Sequence, residues 1–424
     1  MFSKILIANR GEIAIRVIRA CKEMGVATVA IFSEADKDAL HVSLADESYC
    51  VGPAPAQKSY LNMSAILTIA TSCGVEAIHP GYGLLSENPT FARLCEKCGV
   101  AFVGTPCDVM AKMGDKNEAR RSMQRAGVPV IPGCELVATP EEARREAVKI
   151  GFPVLLKARA GGGGRGIRRV NNESEVEGAF LSASAEAQSA FGDGALYLEK
   201  YLSHVKHIEF QVLCDEYDHV LCLGERDCSL QRKNQKLIEE SPALCLTDDM
   251  RARMTETTIR AVRAVDFVGA GTVEYLVTED GQFYFMEMNT RLQVEHPVTE
   301  MVTGVDIVKW QIRIAAGQPL TLAQEDVRME QHAIECRINA EDPSQGFRPS
   351  CGQIKLLHVP GGPRVRFDTA LYQGYNIPPF YDSLIAKLIV CARTRAEAIR
   401  KMQAALCEMV VEGVEHNAQM HTEL

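Results

Sequence analysis

The sequence predicts an α/β and α+β fold built from three segments. The first alternates strand and helix signals, the middle combines a glycine-rich loop with long β-rich runs, and the last mixes both types without strict alternation. Alternation favours a sheet covered by helices, whereas β-rich runs beside helical ones favour an α+β arrangement. A chain of 424 residues with 46% hydrophobic side chains has ample core for more than one domain.

The first segment predicts a small doubly wound α/β domain that ends near Pro106. Residues 12–24 predict an amphipathic helix. Strands are predicted at residues 4–9, 27–32, 75–79 and 101–103, with helical stretches between them.

A glycine-rich loop follows an apolar strand in the middle segment. Residues 154–158 (VLLKA) predict a strand that carries Lys157, and residues 161–166 (GGGGRG) formally match the dinucleotide-binding pattern G-x-G-x-x-G. That pattern requires a helix after the glycines, but a short β-like run, 167–170, follows here. We therefore expect a flap that caps a β-hairpin and closes backbone N–H groups over phosphates; a plain flexible loop is the alternative.

The flap region, residues 132–201, is bounded by a helix and a hinge. Residues 114–127 predict the helix, with Asp115 as its N-cap, and Lys200 lies at the hinge. A mixed sheet is expected to follow, and a C-terminal α+β segment begins near residue 327.

Two β-like runs in this sheet predict a hairpin. The runs cover residues 272–278 and 283–288, and the Asp-Gly pair at 280–281 is a favoured two-residue turn. That turn would place Glu274 directly opposite Glu287. Like charges opposed across a ladder are destabilising unless a cation lies between them.

The candidate metal ligands on this predicted hairpin are all oxygen donors. Glu274, Glu287 and Asn289 would share one face, and such ligands suit Mg²⁺ or Mn²⁺ bridging phosphates rather than zinc. The alternative is two exposed glutamates on a hairpin.

A run of alternating polar residues continues from there. In an extended chain one face would carry two carboxylates, two amides and a guanidinium, from Glu287, Asn289, Arg291, Gln293 and Glu295. This set can hold metal ions, an oxyanion and a proton acceptor together, although a solvated strand face with alternating charges would give the same pattern.

Composition excludes several classes of function. A net charge of -9 argues against a nucleic-acid or anionic-membrane surface. Cys95 and Cys98 form the one C-x-x-C spacing among fifteen cysteines, so reduced, mostly buried cytosolic thiols are expected rather than a zinc site. The charged first ten residues and the lack of a long apolar run predict no signal peptide and no membrane span, hence a cytoplasmic protein.

The motifs together resemble the ATP-grasp biotin carboxylases, most closely the free-standing biotin carboxylase subunits of bacterial acetyl-CoA carboxylases. Matching motifs span nearly the whole chain: KILIANRGEIA, HPGYG, MGDK, KARAGGGGRG, EKYL, HIEFQV, ERDCSLQRKNQK, GAGTVEYL, FMEMNTRLQVEHPVTEM, ECRINAEDP and PPFYDSLIAKL. The glycine loop is shared among ATP-grasp ligases, whereas EMNTRLQVEHPVTE with ECRINAEDP is specific to biotin-dependent carboxylation.

The resemblance implies three domains. They are a Rossmann-like N-terminal domain (1–112), an ATP-grasp domain with the flap (113–326) and a C-terminal biotin carboxylase domain (327–424). It also implies ATP-dependent carboxylation of biotin: bicarbonate attacks the γ-phosphate of ATP to give carboxyphosphate, whose breakdown delivers CO₂ to biotin. Catalysis of the first step is mainly positioning and charge neutralisation. The product would feed malonyl-CoA and fatty acid synthesis.

The resemblance also assigns roles to individual residues. Nucleotide binding falls to Lys116, Lys157, Gly163, Gly164, Glu199, Lys200, Tyr201, Leu202, His207, Gln231, Asn234 and Leu276. Metal binding falls to Glu274, Glu287 and Asn289. Bicarbonate binding falls to Lys236, Arg291, Gln293 and the backbone of Val294, with Glu295 as the base. Arg337 would stabilise the biotin enolate, with Tyr82 nearby, and the catalytic set is Arg291, Glu295, Lys236 and Arg337.

Taken singly, several of these residues have ordinary structural explanations. Arg337 alternates with Glu335, so a structural salt bridge between them is an alternative. His207 alternates with Glu209 and fits a solvent-facing strand. Three residues fit an exposed surface: Lys116, Lys236 and Tyr82.

The sequence departs from the family pattern at three places. Arg159 stands where a small residue is usual, adding a cation and bulk beside the flap, and Asn234 replaces a frequent histidine, so that position cannot titrate near neutral pH. The sequence ends at Leu424, where relatives continue into a helical tail, so reduced adenine-side packing and activity are expected.

Carrier and partners are expected to be separate chains. Biotinylated sequences of the family read Met-Lys-Met, and the nearest string here is Ala111, Lys112, Met113. We therefore expect a homodimer that works with a biotin carboxyl carrier protein and carboxyltransferase subunits, on ATP and Mg²⁺ or Mn²⁺. The alternatives are a component of a propionyl-CoA or pyruvate carboxylase, another ATP-grasp ligase, such as a carbamoyl-phosphate or purine-pathway enzyme, and a non-enzymatic nucleotide sensor.

Overall fold

The structure, a computed structural model, describes residues 1–159 and 166–424. Two compact units divide the chain. The large unit comprises Met1–Gly114, His207–Glu274 and Met288–Leu424, and the small unit comprises Asp115–Lys206 and Tyr275–Glu287. Most of the glycine loop, including Gly163 and Gly164, lies outside the described residues.

The predicted doubly wound segment is confirmed in the first 114 residues, all of which are described. Five parallel strands take the order β3-β2-β1-β4-β5, which is the order of the first five strands of a Rossmann sheet, with helices between successive strands. The elements are β1 (Lys4–Ile7), α1 (Gly11–Glu23), β2 (Ala27–Ser33), α2 (Leu40–Leu44), β3 (Glu47–Gly52), α3 (Met63–Ser72), β4 (Ala77–His79), α4 (Pro89–Lys97), β5 (Ala101–Phe102) and α5 (Cys107–Gly114).

The small unit packs helices on a short antiparallel sheet of order β7-β6-β8. Its elements are α6 (Lys116–Arg125), α7 (Pro140–Ile150), β6 (Val154–Ala158), β7 (Ile167–Val170), α8 (Val176–Phe191) and β8 (Leu196–Lys200). Asp115 caps α6 as predicted, because its carboxylate accepts from the N–H groups of Asn117 and Glu118. The strands on either side of the glycine loop form the predicted antiparallel pair.

A long sheet carries most of the charged residues described below. Among the described residues its strand order is β13-β12-β9-β10-β11-β14-β21-β19. The elements from β9 onward are β9 (Lys206–Cys214), β10 (Val220–Arg232), β11 (Gln235–Ser241), α9 (Asp248–Arg263), β12 (Gly269–Val277), β13 (Phe283–Asn289), α10 (His296–Thr303), α11 (Ile307–Ala315), β14 (His332–Asn339), β15 (Glu341–Asp342), β16 (Arg348–Pro349), β17 (Gly352–Gln353), β18 (Leu356–His358), β19 (Val365–Thr369), β20 (Asn376–Ile377), β21 (Leu384–Ala392), α12 (Arg395–Glu408), β22 (Val410–Glu412) and α13 (Ala418–Glu423).

The predicted two-residue turn between β12 and β13 is wrong. The Thr278 N–H donates to the Gln282 carbonyl at 2.9 Å and the Gly281 N–H donates to the Thr278 carbonyl at 3.0 Å, so three residues lie between the paired positions. Gly281 has φ of 78°, but Asp280 does not share the positive φ that a type I′ turn requires. The register that placed Glu274 opposite Glu287 therefore no longer follows from the turn.

The large unit has a core that joins its chain segments. Residues of α1, such as Val17 and Ile18, share one buried cluster with Trp310 and Ile314 of α11 and with Leu223 of β10. Within the described part of the chain, no helix is both long enough and apolar enough to cross a membrane. Every cysteine is described, and each is a free thiol.

Candidate active site

A single ammonium group, Lys236 of β11, joins three carboxylates from other elements of the large unit. Its Nζ lies 2.5 Å from Oε2 of Glu209, 2.6 Å from Oε1 of Glu295 and 3.2 Å from Oε1 of Glu274. The three carboxylates are buried. Burial opposes the charge on Lys236, but the surrounding negative charges outweigh it and raise its pKa well above the ordinary value.

Two of the three carboxylates, Glu295 and Glu274, have lowered pKa values. Burial raises the pKa of Glu295, but the charges of Lys236, Arg337 and Arg226 outweigh it, so this pKa lies well below its ordinary value. Burial acts on Glu274 too, yet Lys236 and His207 lower its pKa to about 2. Both groups are therefore ionised at neutral pH.

Arg337 of β14 links Glu295 to a further buried carboxylate. Its Nη2 donates to Oε2 of Glu295 at 2.9 Å, and its Nε donates to Oε1 of Glu239 at 2.7 Å. The alternative salt bridge with Glu335 is wrong, since both carboxyl oxygens of that residue are buried with no hydrogen-bond partner in the described residues. Burial raises the pKa of Glu335 well above its ordinary value.

Glu274 is also the acceptor for an amide pair. Its Oε1 accepts from Nδ2 of Asn289 at 2.8 Å and from Nε2 of Gln293 at 3.1 Å, while Oε2 lies 2.6 Å from Nε2 of His207. The Asn289 amide thus turns its nitrogen toward Glu274, and its oxygen accepts from Arg291. To hold the hard divalent cation predicted for these ligands, the amide would have to present its oxygen beside the ionised carboxylate. Glu287, the third predicted ligand, is an exposed residue of the small unit.

Donors for a small oxyanion lie along the next few residues. Arg291 donates through Nη1 to Oε1 of Gln293 at 2.7 Å, through Nη2 to Oδ1 of Asn289 at 3.2 Å and through Nε to Oε2 of Glu87 at 2.8 Å. The Val294 N–H donates to no group in the described part of the chain. A guanidinium, an amide and a free backbone donor therefore adjoin the Lys236 cluster.

Tyr82 reaches the same segment through two buried residues. Its hydroxyl donates to Oε1 of Glu12, which lies 3.1 Å from Nζ of Lys387. Lys387 in turn donates to the Val294 carbonyl at 2.9 Å. The structure thus connects Tyr82 with the predicted bicarbonate residues.

Gln231 and His207, two of the residues that the resemblance assigns to nucleotide binding, are neighbours. Nε2 of Gln231 lies 3.1 Å from Nδ1 of His207. Burial lowers the pKa of His207, but the hydrogen bond and charge of Glu274 outweigh it, and the net shift is upward. His207 therefore lies in the charged network rather than on a solvent-facing strand, which answers the alternative interpretation.

Other predicted nucleotide residues lie in the small unit. Lys157 of β6 forms an ion pair of 2.5 Å with Glu199 of β8. Lys200 donates to the carbonyls of Gly151 and Phe152 at 2.8 and 2.9 Å, which ties the end of β8 to the start of β6.

The remaining residues of that group are less constrained. The Tyr201 ring carries the Arg169 guanidinium 4.1 Å from its centroid. Lys116 is exposed at the first position of α6, and Leu202 and Leu276 are partly exposed.

Arg159 does not leave an uncompensated cation beside the flap. Its Nη2 lies 2.7 Å from Oδ2 of Asp193, and Nε donates to the same oxygen at 2.8 Å. The added charge is therefore paired locally, within the small unit.

Asn234 has a backbone role in addition to its predicted contact. It follows Lys233 in the turn between β10 and β11, and the two residues have φ of 64° and 49°. Such a turn favours Asn or Gly, because side chains branched at Cβ are strained at positive φ.

We expect Asn234→Gly to leave stability nearly unchanged and Asn234→Val to lower it by about 1–2 kcal/mol. Urea unfolding of the two variants measures this difference. If the amide also contacts nucleotide, Asn234→Gly will raise the KM for ATP. Equal stability of both variants would contradict the turn assignment.

Sequence reasoning missed several members of the network. They are Glu12, Glu87, Glu209, Arg226, Glu239 and Lys387. Arg226 is fully buried and donates to Glu209 at 2.6 Å. One signal was available: a lone lysine inside the apolar run LIAKLIV is unusual, since buried lysines need partners.

Comparison with known families assigns nearly the whole chain. Residues 1–110 match the model "Biotin carboxylase, N-terminal domain", residues 115–323 match "Carbamoyl-phosphate synthase L chain, ATP binding domain", and residues 335–424 match "Biotin carboxylase C-terminal domain". The predicted domain limits at 112 and 326 stay a prediction.

Individual relatives agree over the full length. Biotin carboxylase 1 of Bacillus subtilis is 53% identical over 426 residues, covering 100% of this chain and 95% of the relative. The solved biotin carboxylase complex with β,γ-ATP from Campylobacter jejuni has a TM-score of 0.95 at 50% identity, covering 100% of this chain and 95% of that one. A biotin carboxylase domain dimer of Hydrogenobacter thermophilus 2-oxoglutarate carboxylase, solved with MgADP, ADP and bicarbonate, has a TM-score of 0.93 at 53% identity, covering 100% of this chain and 93% of that one.

The chain belongs to the biotin carboxylase family of ATP-grasp enzymes. It is therefore an ATP-dependent ligase, and the predicted combination of a Rossmann-like, an ATP-grasp and a biotin carboxylase C-terminal domain is confirmed. Membership of an enzyme family argues against the nucleotide sensor.

Proposed function

We propose that this chain uses ATP and bicarbonate to carboxylate biotin on a separate carrier protein, as the biotin carboxylase component of an acetyl-CoA carboxylase. The observation that carries the proposal is the buried network in which Lys236 and Arg337 both contact Glu295. That network adjoins the oxyanion donors of Arg291 and Gln293 through Glu274.

In this proposal Lys236, Arg291, Gln293 and the Val294 N–H bind bicarbonate. Arginine offers a planar fork that matches a planar oxyanion. Glu295 is the base. Its lowered pKa makes it a weak base on its own, but a second anion beside it would raise the pKa and draw on the same ammonium group of Lys236.

Glu274, Glu287 and Asn289 would hold Mg²⁺ or Mn²⁺. When bound, the metal would supply charge neutralisation for the transferred phosphoryl group. Lys116, Lys157 and His207 would contact the nucleotide phosphates or base, together with Gly163 and Gly164 of the loop and the hinge residues 199–202. Gln231, Asn234 and Leu276 would complete the nucleotide site.

The biotin step is assigned to Arg337, with Tyr82 nearby. A guanidinium that stays charged can stabilise the enolate of the ureido group as the nitrogen becomes nucleophilic. A biotin carboxyl carrier protein would bring the biotin, and carboxyltransferase subunits would use the product in the cytoplasm. A homodimer is proposed because the Hydrogenobacter thermophilus biotin carboxylase domain was solved as a dimer.

The final acceptor is the finer part of the proposal. Acetyl-CoA is proposed, leading to malonyl-CoA and fatty acid synthesis. Two relatives nevertheless have other names: the 2-oxoglutarate carboxylase small subunit of Hydrogenobacter thermophilus is 54% identical, and a pyruvate carboxylase subunit of Methanothermobacter thermautotrophicus is 52% identical. Reconstitution with cognate carrier and carboxyltransferase, assayed with acetyl-CoA, propionyl-CoA, pyruvate and 2-oxoglutarate in turn, decides among them.

The half-reaction itself is tested by omission. Phosphate release should require the chain, ATP, Mg²⁺ and bicarbonate, and free biotin should stimulate it. Bicarbonate-dependent release that free biotin does not stimulate would argue for another ATP-grasp ligase. Intact mass should show no biotin adduct on the chain, because biotin is proposed to arrive on a carrier.

Glu287→Gln is expected to leave folding nearly unchanged and to abolish Mg²⁺-dependent turnover. The side chain is exposed, so its neutralisation costs little stability, whereas a lost carboxylate ligand removes metal binding. Phosphate release across a Mg²⁺ titration measures the effect, with the neighbouring exposed residue Met286→Ala as control. Full activity of the glutamine variant would show that Glu287 is not a ligand.

A further inference from the structure

We propose that His296 is a positioning residue for the bicarbonate subsite: its ring Nδ1–H holds the Gln293 carbonyl and thereby aims the Val294 N–H at the anion. This inference rests on the proposed function. His296 belongs to none of the predicted site residues.

The argument begins with one peptide group. The Gln293 carbonyl and the Val294 N–H belong to the same planar peptide, in which C=O and N–H point in opposite directions. Nδ1 of His296 lies 2.8 Å from the Gln293 oxygen, and the His296 backbone N–H donates to that oxygen at 3.4 Å. Fixing the oxygen therefore fixes the direction of the N–H.

The ring has one assignment that suits this contact. A carbonyl oxygen only accepts hydrogen bonds, so Nδ1 carries the hydrogen. His296 is fully buried, and Nε2 has no hydrogen-bond partner in the described part of the chain. Burial, with the nearby charges of Lys387, Arg16 and Arg366, lowers the pKa of His296 well below its ordinary value, so the imidazole is neutral.

The next peptide is anchored as well. Nζ of the buried Lys387 donates to the Val294 carbonyl at 2.9 Å. Both carbonyls that flank the Val294 N–H thus accept from buried side chains, while that N–H donates to no described group. A half-buried free donor between two held carbonyls is what a pre-organised anion site requires.

A purely structural role is the competing explanation, because His296 is also the first residue of α10. The two roles differ in what they change. Loss of a structural cap would lower stability and change the KM for ATP and for bicarbonate alike. Misorientation of the Val294 N–H would change the KM for bicarbonate alone.

Two amide variants separate the roles. The Asn amide nitrogen lies near the position of the histidine Nδ1, and the Gln amide nitrogen lies nearer that of Nε2. We expect His296→Gln to raise the KM for bicarbonate about tenfold, the equivalent of one lost hydrogen bond, while the KM for ATP changes less than about twofold. We expect His296→Asn to restore the bicarbonate KM to within about threefold of wild type.

The assay is bicarbonate-dependent phosphate release, with thermal unfolding of each variant. Equal bicarbonate KM values for the two variants, or parallel changes in both substrates, would overturn the proposal. If His296→Gln fails to fold, Val294→Pro, which deletes the N–H at a turn position that tolerates proline, should raise the same KM, and an unchanged KM would also overturn it. If the rate of phosphate release by the wild-type chain does not depend on bicarbonate, the proposed function itself is refuted.

Discussion

Glu295→Gln is expected to abolish bicarbonate-dependent ATP hydrolysis, with or without biotin. The change removes the proposed base but keeps the shape of the side chain: its one oxygen can still accept from Lys236 or from Arg337, while the amide nitrogen faces the other donor. Loss of a general base typically costs about 10²–10⁴-fold in rate. Phosphate release at saturating ATP, with and without biotin, measures the effect.

Arg337→Ala is the matched comparison. Its guanidinium is proposed to act later, on biotin, so some bicarbonate-dependent hydrolysis should remain while little carboxybiotin forms. Nη2 of Arg337 donates a hydrogen bond to Oε2 of Glu295 at 2.9 Å, and Glu295 keeps Lys236 as a partner when Arg337 is removed. Equal loss of both activities in both variants would show that the two residues serve one step.

Lys236→Met is expected to eliminate turnover and to lower the free energy of unfolding by about 3–5 kcal/mol. The variant removes a proposed bicarbonate ligand and the cation that Glu209, Glu274 and Glu295 share. Chemical unfolding and phosphate release measure the two effects. Lys355→Met, at an exposed lysine, is the control and should change neither.

The sign of the pH dependence follows from the same charges. Without the ammonium group, the clustered carboxylates would have raised pKa values in the folded state, so their contribution to stability is present at low pH and is lost as pH rises. The deficit of Lys236→Met relative to wild type should therefore be larger at pH 8 than at pH 5. A deficit independent of pH would indicate a packing effect instead.

Local features of the fold were predictable from the sequence because their signals are local. The strand and helix pattern gave the first domain, and Asp115 was identifiable as a cap. The turn after β12 was not, since Asp-Gly serves both a two-residue turn and the observed three-residue loop with Gly281 at positive φ.

The site was predictable in its motif residues and not in their partners. The alternating run named Arg291, Gln293 and Glu295, but its predicted extended face is wrong beyond Asn289, where β13 ends and a turn leads into α10. Glu239 and Lys387 enter through contacts across the sheet or between distant segments. The periodicity of polar residues predicts on which face of a strand a side chain lies, but not which residue of another element it contacts. The pairing of Arg337 with Glu239 instead of Glu335 shows the difference.

The most direct test of the proposed function traces the carbon atom of bicarbonate to the carrier protein. Labelled bicarbonate is incubated with the chain, ATP, Mg²⁺ and a biotinylated carrier protein, and acid-labile label on the carrier is counted. The proposal predicts ATP-dependent labelling of the carrier that is lost in Glu295→Gln, in Lys236→Met and with an unbiotinylated carrier. Active phosphate release with no label on biotin would contradict it.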